Sequence, residues 1–276
     1  MKWVIAALAA LTSAALAEAP SRIVSVGGAA TETVFALGAG ETVVGVDTSS
    51  VYPEKATALP QVGYQRMLSA EGIASLKPDL VILAATAGPP AAIEQLEKLG
   101  IPMLRLQEGY NVGATIARVQ QIGTALGRTS QADEICRKIQ ADATAIPSPR
   151  HPTARVLFVM SAGGGAPLVA GSGTAADAVI TLAGAKNVGG DFSGYKQLSP
   201  EALVALDPEV VVTTSRTIKA VTSGELLPGL AQTAAGRNAR LIVMDDLYLL
   251  GFGPRVGEAL AEFSKKLADY RLSAGR

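Results

Sequence analysis

Residues 68–86 read LSAEGIASLKPDLVILAAT, and residues 198–216 read LSPEALVALDPEVVVTTSR, the same design repeated 130 positions later. Leu68, Ser69, Glu71, Leu76, Pro78 and Asp79 fall in register with Leu198, Ser199, Glu201, Leu206, Pro208 and Glu209. Each copy predicts a short helix capped by its serine, with its glutamate in the first turn, where the helix dipole favours negative charge. The proline–acid pair stops that helix. An apolar, β-branched run follows, Leu80 to Leu83 in one copy and Val210 to Val212 in the other, without polar alternation. Such a strand is buried on both faces, as in a parallel sheet covered by helices.

A fainter echo lies upstream of each copy. ATETVFALGAGETVVGVD (30–47) parallels AADAVITLAGAKNVGGD (175–191), and each is preceded by an apolar strand that opens with arginine, at Arg22 and at Arg155. Each half therefore predicts strand, Gly-rich turn, helix, strand, loop, helix, strand. The fold class that follows is α/β: two Rossmann-like lobes with mainly parallel sheets, joined by a long helix. Residues 18–111 form the first lobe, 112–147 the linking helical segment and 148–276 the second lobe. In the linker, Ile116, Val119, Ile122 and Leu126 recur at helical spacing, Gly127 breaks the pattern, and Ser130 is expected to cap a second run. Pro147, Pro149 and Pro152 end it, and a last helix is expected from Pro254 onward.

Of the 276 residues, 49% are hydrophobic and 17% charged, and the 24 Lys and Arg balance the 24 Asp and Glu. That composition excludes a disordered chain and argues against a nucleic-acid partner, which needs a basic surplus or patch. Lys2, an apolar run from Val4 to Leu11 and the small residues ending Ala15-Leu16-Ala17 read as a secretory signal peptide over residues 1–17. No other stretch is apolar for the ~20 residues a bilayer span requires, so no membrane insertion is expected after cleavage. The single cysteine, Cys136, lies far from the cleavage site, which argues against a lipid anchor. It sits in a helical pattern and reads as a small buried apolar residue.

Enzyme signatures are sparse. The one histidine, His151, lies in the proline-rich segment, so Ser-His-Asp or Cys-His chemistry has no base in place. Gly171-Ser172-Gly173-x-x-Ala176 loosely fits a dinucleotide fingerprint but reads as a turn, because no strand is expected directly before it. Zinc or manganese sites would want several histidines. The segment that carries chemistry is Val62-Gly63-Tyr64-Gln65-Arg66, a loop at the mouth of the first lobe. A tyrosine phenolate ligates ferric haem iron, and a guanidinium two residues on favours the phenolate. A Gly-Tyr loop that merely packs its ring over the cleft accounts for the residues as well. The second lobe has a partial counterpart in Gly194-Tyr195-Lys196.

The two lobes, the linking helix and the signal peptide together suggest a periplasmic binding protein with its ligand between the lobes. GYQRMLSAEGIASLKPD, GYKQLSPEAL and Gly251-Phe252-Gly253-Pro254-Arg255 resemble the haem substrate-binding proteins of bacterial ABC importers, within the helix-linked superfamily that also carries cobalamin and siderophores. The resemblance spans nearly the whole mature chain and implies a class III periplasmic binding protein and no enzyme. It implies Tyr64 as axial ligand to haem iron and Arg66 as hydrogen-bond partner of the phenolate. It sets Arg255 near the haem edge or propionates and Tyr195 on the cleft wall. It makes Glu71 and Glu201, one per lobe, the points that dock on a dimeric ABC permease. Some relatives carry a second-lobe histidine and stack two haems; residues 161–164 read Ser-Ala-Gly-Gly here. A corrinoid or a ferric siderophore is the alternative cargo on the same scaffold.

Overall fold

The computed structural model describes residues 19–146, 154–160, 167–220 and 226–273. The segment read as a signal peptide, the proline-rich segment with His151, and residues 161–164 lie outside them.

The first half contributes strands β1 (Ile23–Val26), β2 (Val43–Val46), β3 (Gly63–Tyr64), β4 (Met67–Leu68), β5 (Leu80–Leu83) and β6 (Met103–Arg105), with helices α1 (Gly28–Ala36), α2 (Ala70–Ser75) and α3 (Pro90–Lys98). Helices α4 (Val112–Ala125) and α5 (Thr129–Thr144) connect the halves. The second half carries β7 (Arg155–Met160), β8 (Leu168–Ala170), β9 (Lys186–Asn187), β10 (Tyr195–Lys196), β11 (Val210–Thr214) and β12 (Leu241–Met244). Its helices are α6 (Ala175–Leu182), α7 (Pro200–Leu206), α8 (Ser215–Ala220), α9 (Ala234–Arg237), α10 (Asp246–Leu250) and α11 (Val256–Ser273).

The first sheet runs β2-β1-β5-β6, every pairing parallel. The second runs β10-β8-β7-β11-β12, with β9 also on β7. Its β7, β9, β11 and β12 pairings are parallel, and β8 adds an antiparallel edge with β10. The repeat folds as its residues dictate. Ser69 accepts the Gly72 N–H at 3.0 Å and Ser199 the Ala202 N–H at 3.2 Å, each closing the first turn of its helix. Both helices stop at a left-handed residue, Lys77 (φ 49°) and Asp207 (φ 36°).

Strand periodicity divides the core. Val24, Val26, Val81 and Leu83 face α2 and α3, where Ile73, Ile93 and Leu96 are buried. Ile23 and Ile82 face the other way, into a cluster that runs on through Val119, Ile122, Ile139 and Phe263 to Val156, Phe158 and Val212 of the second sheet. One continuous apolar body thus joins both halves through α4, α5 and α11. Helices α4 and α5 fold back on each other, close at Gly123, where a Cβ would lie 2.4 Å from that of Ala132.

Three boundaries differ from the sequence reading. Helix α5 starts at Thr129 with no side-chain cap, because the turn closes at Arg128 immediately after left-handed Gly127 (φ 64°), leaving Ser130 inside the first turn. The last helix begins at Val256, with Pro254 and Arg255 in a turn before it. Gly171 does follow a strand directly: β8 is short and antiparallel, and Thr174 caps α6 beyond it by accepting the Asp177 N–H at 3.1 Å.

Candidate functional site

Strands β3 and β4 form a hairpin in which Tyr64 faces Met67 across a two-residue turn of Gln65 and Arg66. Gly63 makes it feasible: its φ is 102°, and a Cβ there would lie 2.8 Å from the Met67 carbonyl oxygen. The hairpin is anchored on both flanks. Thr48 N–H donates to Gly63 O and Gly88 N–H to Gln65 O, each at 2.9 Å. Tyr64 is thereby held out from the core, 42% exposed, at the rim of a cleft of about 730 Å³. That volume lies within the range of small-ligand sites, about 300–1,000 Å³.

The cleft is lined from both halves. The first half supplies the N-terminal turn of α1, the 64–66 turn, residues 84–86 and the segment 106–110. The second supplies Met160, Leu168, the start of α6, Tyr195, Arg216, Asp246, Leu247 and residues 250–252. At one end Tyr110 meets Phe252 with ring centroids 5.6 Å apart. Beneath them Arg118 of α4 donates to Gly109 O at 2.8 Å, Thr115 Oγ1 at 3.1 Å and Phe252 O at 3.0 Å. Burial pulls the Arg118 pKa down, and the nearby Tyr110 opposes it.

The structure brings Tyr64, Arg66 and Tyr195 to this one cleft. Among the described residues no hydrogen bond joins Tyr64 to Arg66. The charge of Arg66 is felt across the cleft at Tyr195. There, desolvation pushes the phenol pKa above its ordinary value and Tyr110 adds to the rise, while a hydrogen bond with Thr174 and the Arg66 guanidinium work against it. Tyr195 is a neutral phenol at physiological pH.

Arg255 is placed elsewhere. It is absent from the cleft lining, and its guanidinium binds Glu32 of α1 in a two-pronged pair, Nε to Oε1 at 2.7 Å and Nη2 to Oε2 at 2.9 Å. The same guanidinium lies 3.6 Å over the Tyr52 ring centroid. The side chain is largely buried in that pair, 24% exposed.

Glu71 and Glu201 are exposed in the first turns of α2 and α7. A hydrogen bond from the Ser199 hydroxyl holds the Glu201 carboxyl below its usual pKa. Among the described residues no three His, Cys, Asp or Glu side chains gather as a metal site.

Tyr110, Arg118, Phe252 and Arg216 were not singled out from the sequence as cleft residues. Tyr110 carried a usable signal, an aromatic immediately before the helix cap at Asn111. Arg118 carried none, being one arginine in an amphipathic helix.

A family profile described as periplasmic binding protein matches residues 23–248. Among solved structures, the periplasmic heme-binding protein RhuT from Roseiflexus sp. RS-1 is 39% identical with a TM-score of 0.86, over 91% of this chain and 98% of that one. The periplasmic heme-binding protein BhuT, solved in complex with two hemes, is 40% identical with a TM-score of 0.85, over 90% and 98%. A cobalamin-binding protein of Halobacterium salinarum is 27% identical over 92% of this chain and 71% of its own length.

Proposed function

The chain belongs to the periplasmic binding protein family, and from that membership we propose that it captures ferric haem between its two halves and delivers it to an ABC permease of the inner membrane. The observation that carries this reading is Tyr64, a phenol held out on a glycine-dependent hairpin over a cleft with no other metal-ligating cluster among the described residues. The relatedness to two heme-binding proteins at 39% and 40% identity supports the same cargo.

In this reading the Tyr64 oxygen is the axial iron ligand. Arg66, exposed two residues on, stabilises negative charge at the mouth. Tyr195 contacts the ligand from the second half as a neutral hydroxyl. Burial of the porphyrin faces, at ~25 cal/mol per Å² of apolar surface, supplies much of the attraction. The protein works by binding and not by catalysis. Glu71 and Glu201 stand at equivalent positions of the repeat, so they present two acids in approximate two-fold relation, matched to a dimeric permease. The periplasm is the compartment of this reading, and Cys136, buried in α5, is no site for a lipid anchor.

Titrating the mature protein with haemin, with cobalamin and with a ferric siderophore in competition tests the cargo. Haemin displacing both others supports the reading. Cobalamin or the siderophore displacing haemin assigns the cleft to that ligand instead.

A further inference from the structure

Arg255, expected near the haem edge or propionates, makes a contact between the two halves. Glu32 is buried on α1, within one turn of the cleft-lining residues Ala29, Ala30 and Thr33. Arg255 belongs to the second half, three residues beyond cleft-lining Phe252. Their bidentate pair therefore bolts one cleft wall to the other, and the surroundings are built for it. Tyr52 from the first half and Tyr248 from the second flank the guanidinium, at 3.6 and 4.9 Å from their ring centroids. Gly253 packs beside the pair, where a Cβ would stand in ordinary contact 3.4 Å from Glu32 Oε2. On the other side of Phe252, the Arg118 guanidinium grips the Phe252 carbonyl oxygen.

We infer that Glu32 and Arg255 are positioning residues that fix the width of the cleft, so that the bound ligand leaves only when this interlobe clasp is loosened. Charge-assisted, two-pronged pairs resist sliding as well as separation, which suits a joint that must hold two walls in register. Burial lowers the Arg255 pKa, but the Glu32 carboxylate, Tyr52 and Asp245 together outweigh it, so the guanidinium stays charged throughout the physiological range. The inference rests on the haem reading only for the identity of the ligand.

Two measurements on Glu32→Gln, Arg255→Lys and the double variant test it. The first is hydrogen exchange of the unliganded protein, which needs no ligand. Faster exchange over 27–36 and 247–256 in each single variant, with the rest of the chain and the melting temperature little changed, is expected. Unchanged exchange in both segments overturns the inference. The second is transfer of haemin to a scavenging apoglobin. The dissociation rate is expected to rise about tenfold in either single variant and no further in the double, the mark of two groups acting as one, with the haem absorption spectrum unaltered. An unchanged rate overturns the clasp. A spectrum altered by Arg255→Lys but not by Glu32→Gln makes Arg255 a direct ligand contact and also overturns it. If wild type fails to take up haemin, the proposed cargo is wrong, and the exchange measurement alone decides the clasp.

Discussion

The main-chain N–H of Arg22 donates to Asp79 Oδ1 at 3.0 Å, tying the start of the first strand to the acid that ends the repeated helix. The second half repeats the bond between the Arg155 N–H and Glu209 Oε2, also at 3.0 Å. The arginines return the contact: Arg22 donates to the Leu76 and Lys77 carbonyls, and Arg155 to that of Leu206. Each arginine thus satisfies carbonyls at a helix end that would otherwise lack partners. The proline–acid pair and the strand-opening arginine are one structural device used twice.

That device makes stability depend on pH. Burial raises the Asp79 pKa, but N–H and hydroxyl donors from Ser21 and Arg22 outweigh it, so the folded value lies below the ordinary 3.8. A depressed carboxyl pKa contributes stability above the unfolded value and loses it as pH falls through the folded one. Asp79→Asn is expected to cost roughly 0.5–1 kcal/mol at pH 7, a modest figure because the site is largely solvated. The gap should narrow as pH falls below 3.8 and through the lower folded value. Urea midpoints at neutral and acid pH check this, and a gap that widens in acid contradicts it.

Cys136 is buried in α5, its Sγ 3.7 Å from the Ile116 carbonyl oxygen. Burial, with the charge of Asp133, raises its thiol pKa. The thiolate is the reactive form, so the native protein should react slowly with a chromogenic disulfide reagent at pH 7 and fully once denatured. Rapid native labelling contradicts that placement.

Gly63→Ala isolates the hairpin. With φ at 102° and the Met67 oxygen 2.8 Å from the new Cβ, the turn must move. A loss of about 1–2 kcal/mol in stability is expected, together with weaker haemin binding because Tyr64 rides on that turn. Calorimetry and haemin titration measure the two, and wild-type affinity in the variant would show that the hairpin geometry does not matter for binding.

Glu71 and Glu201 make a contrasting case. The double alanine variant should bind haemin as wild type does, since neither residue lines the cleft, yet fail to support permease-dependent uptake. Loss of haemin affinity, or full uptake, contradicts the docking role.

The repeat and its caps were legible because they rest on local chemistry: serine before a helix, proline after it, unbroken β-branched runs. The hairpin bearing Tyr64 was legible as a loop for the same reason. The role of Arg255 was not. Its partner Glu32 lies 223 positions away, and nothing in either neighbourhood announces the pairing. Arg118 was silent likewise, because a helix face does not reveal which carbonyls another segment will bring to it. The strand before Gly171 escaped notice because it is three residues long and pairs antiparallel with both neighbours, so it carries no long apolar run.

If the Tyr64 oxygen ligates haem iron, the visible absorption spectrum of the haemin-loaded protein carries its signature. Tyr64→Ala is predicted to abolish the ferric tyrosinate spectrum and lower affinity sharply. Tyr195→Phe, which removes a hydroxyl that desolvation keeps protonated, is predicted to leave the spectrum intact. A Tyr64→Ala protein with the wild-type spectrum and affinity would contradict the account.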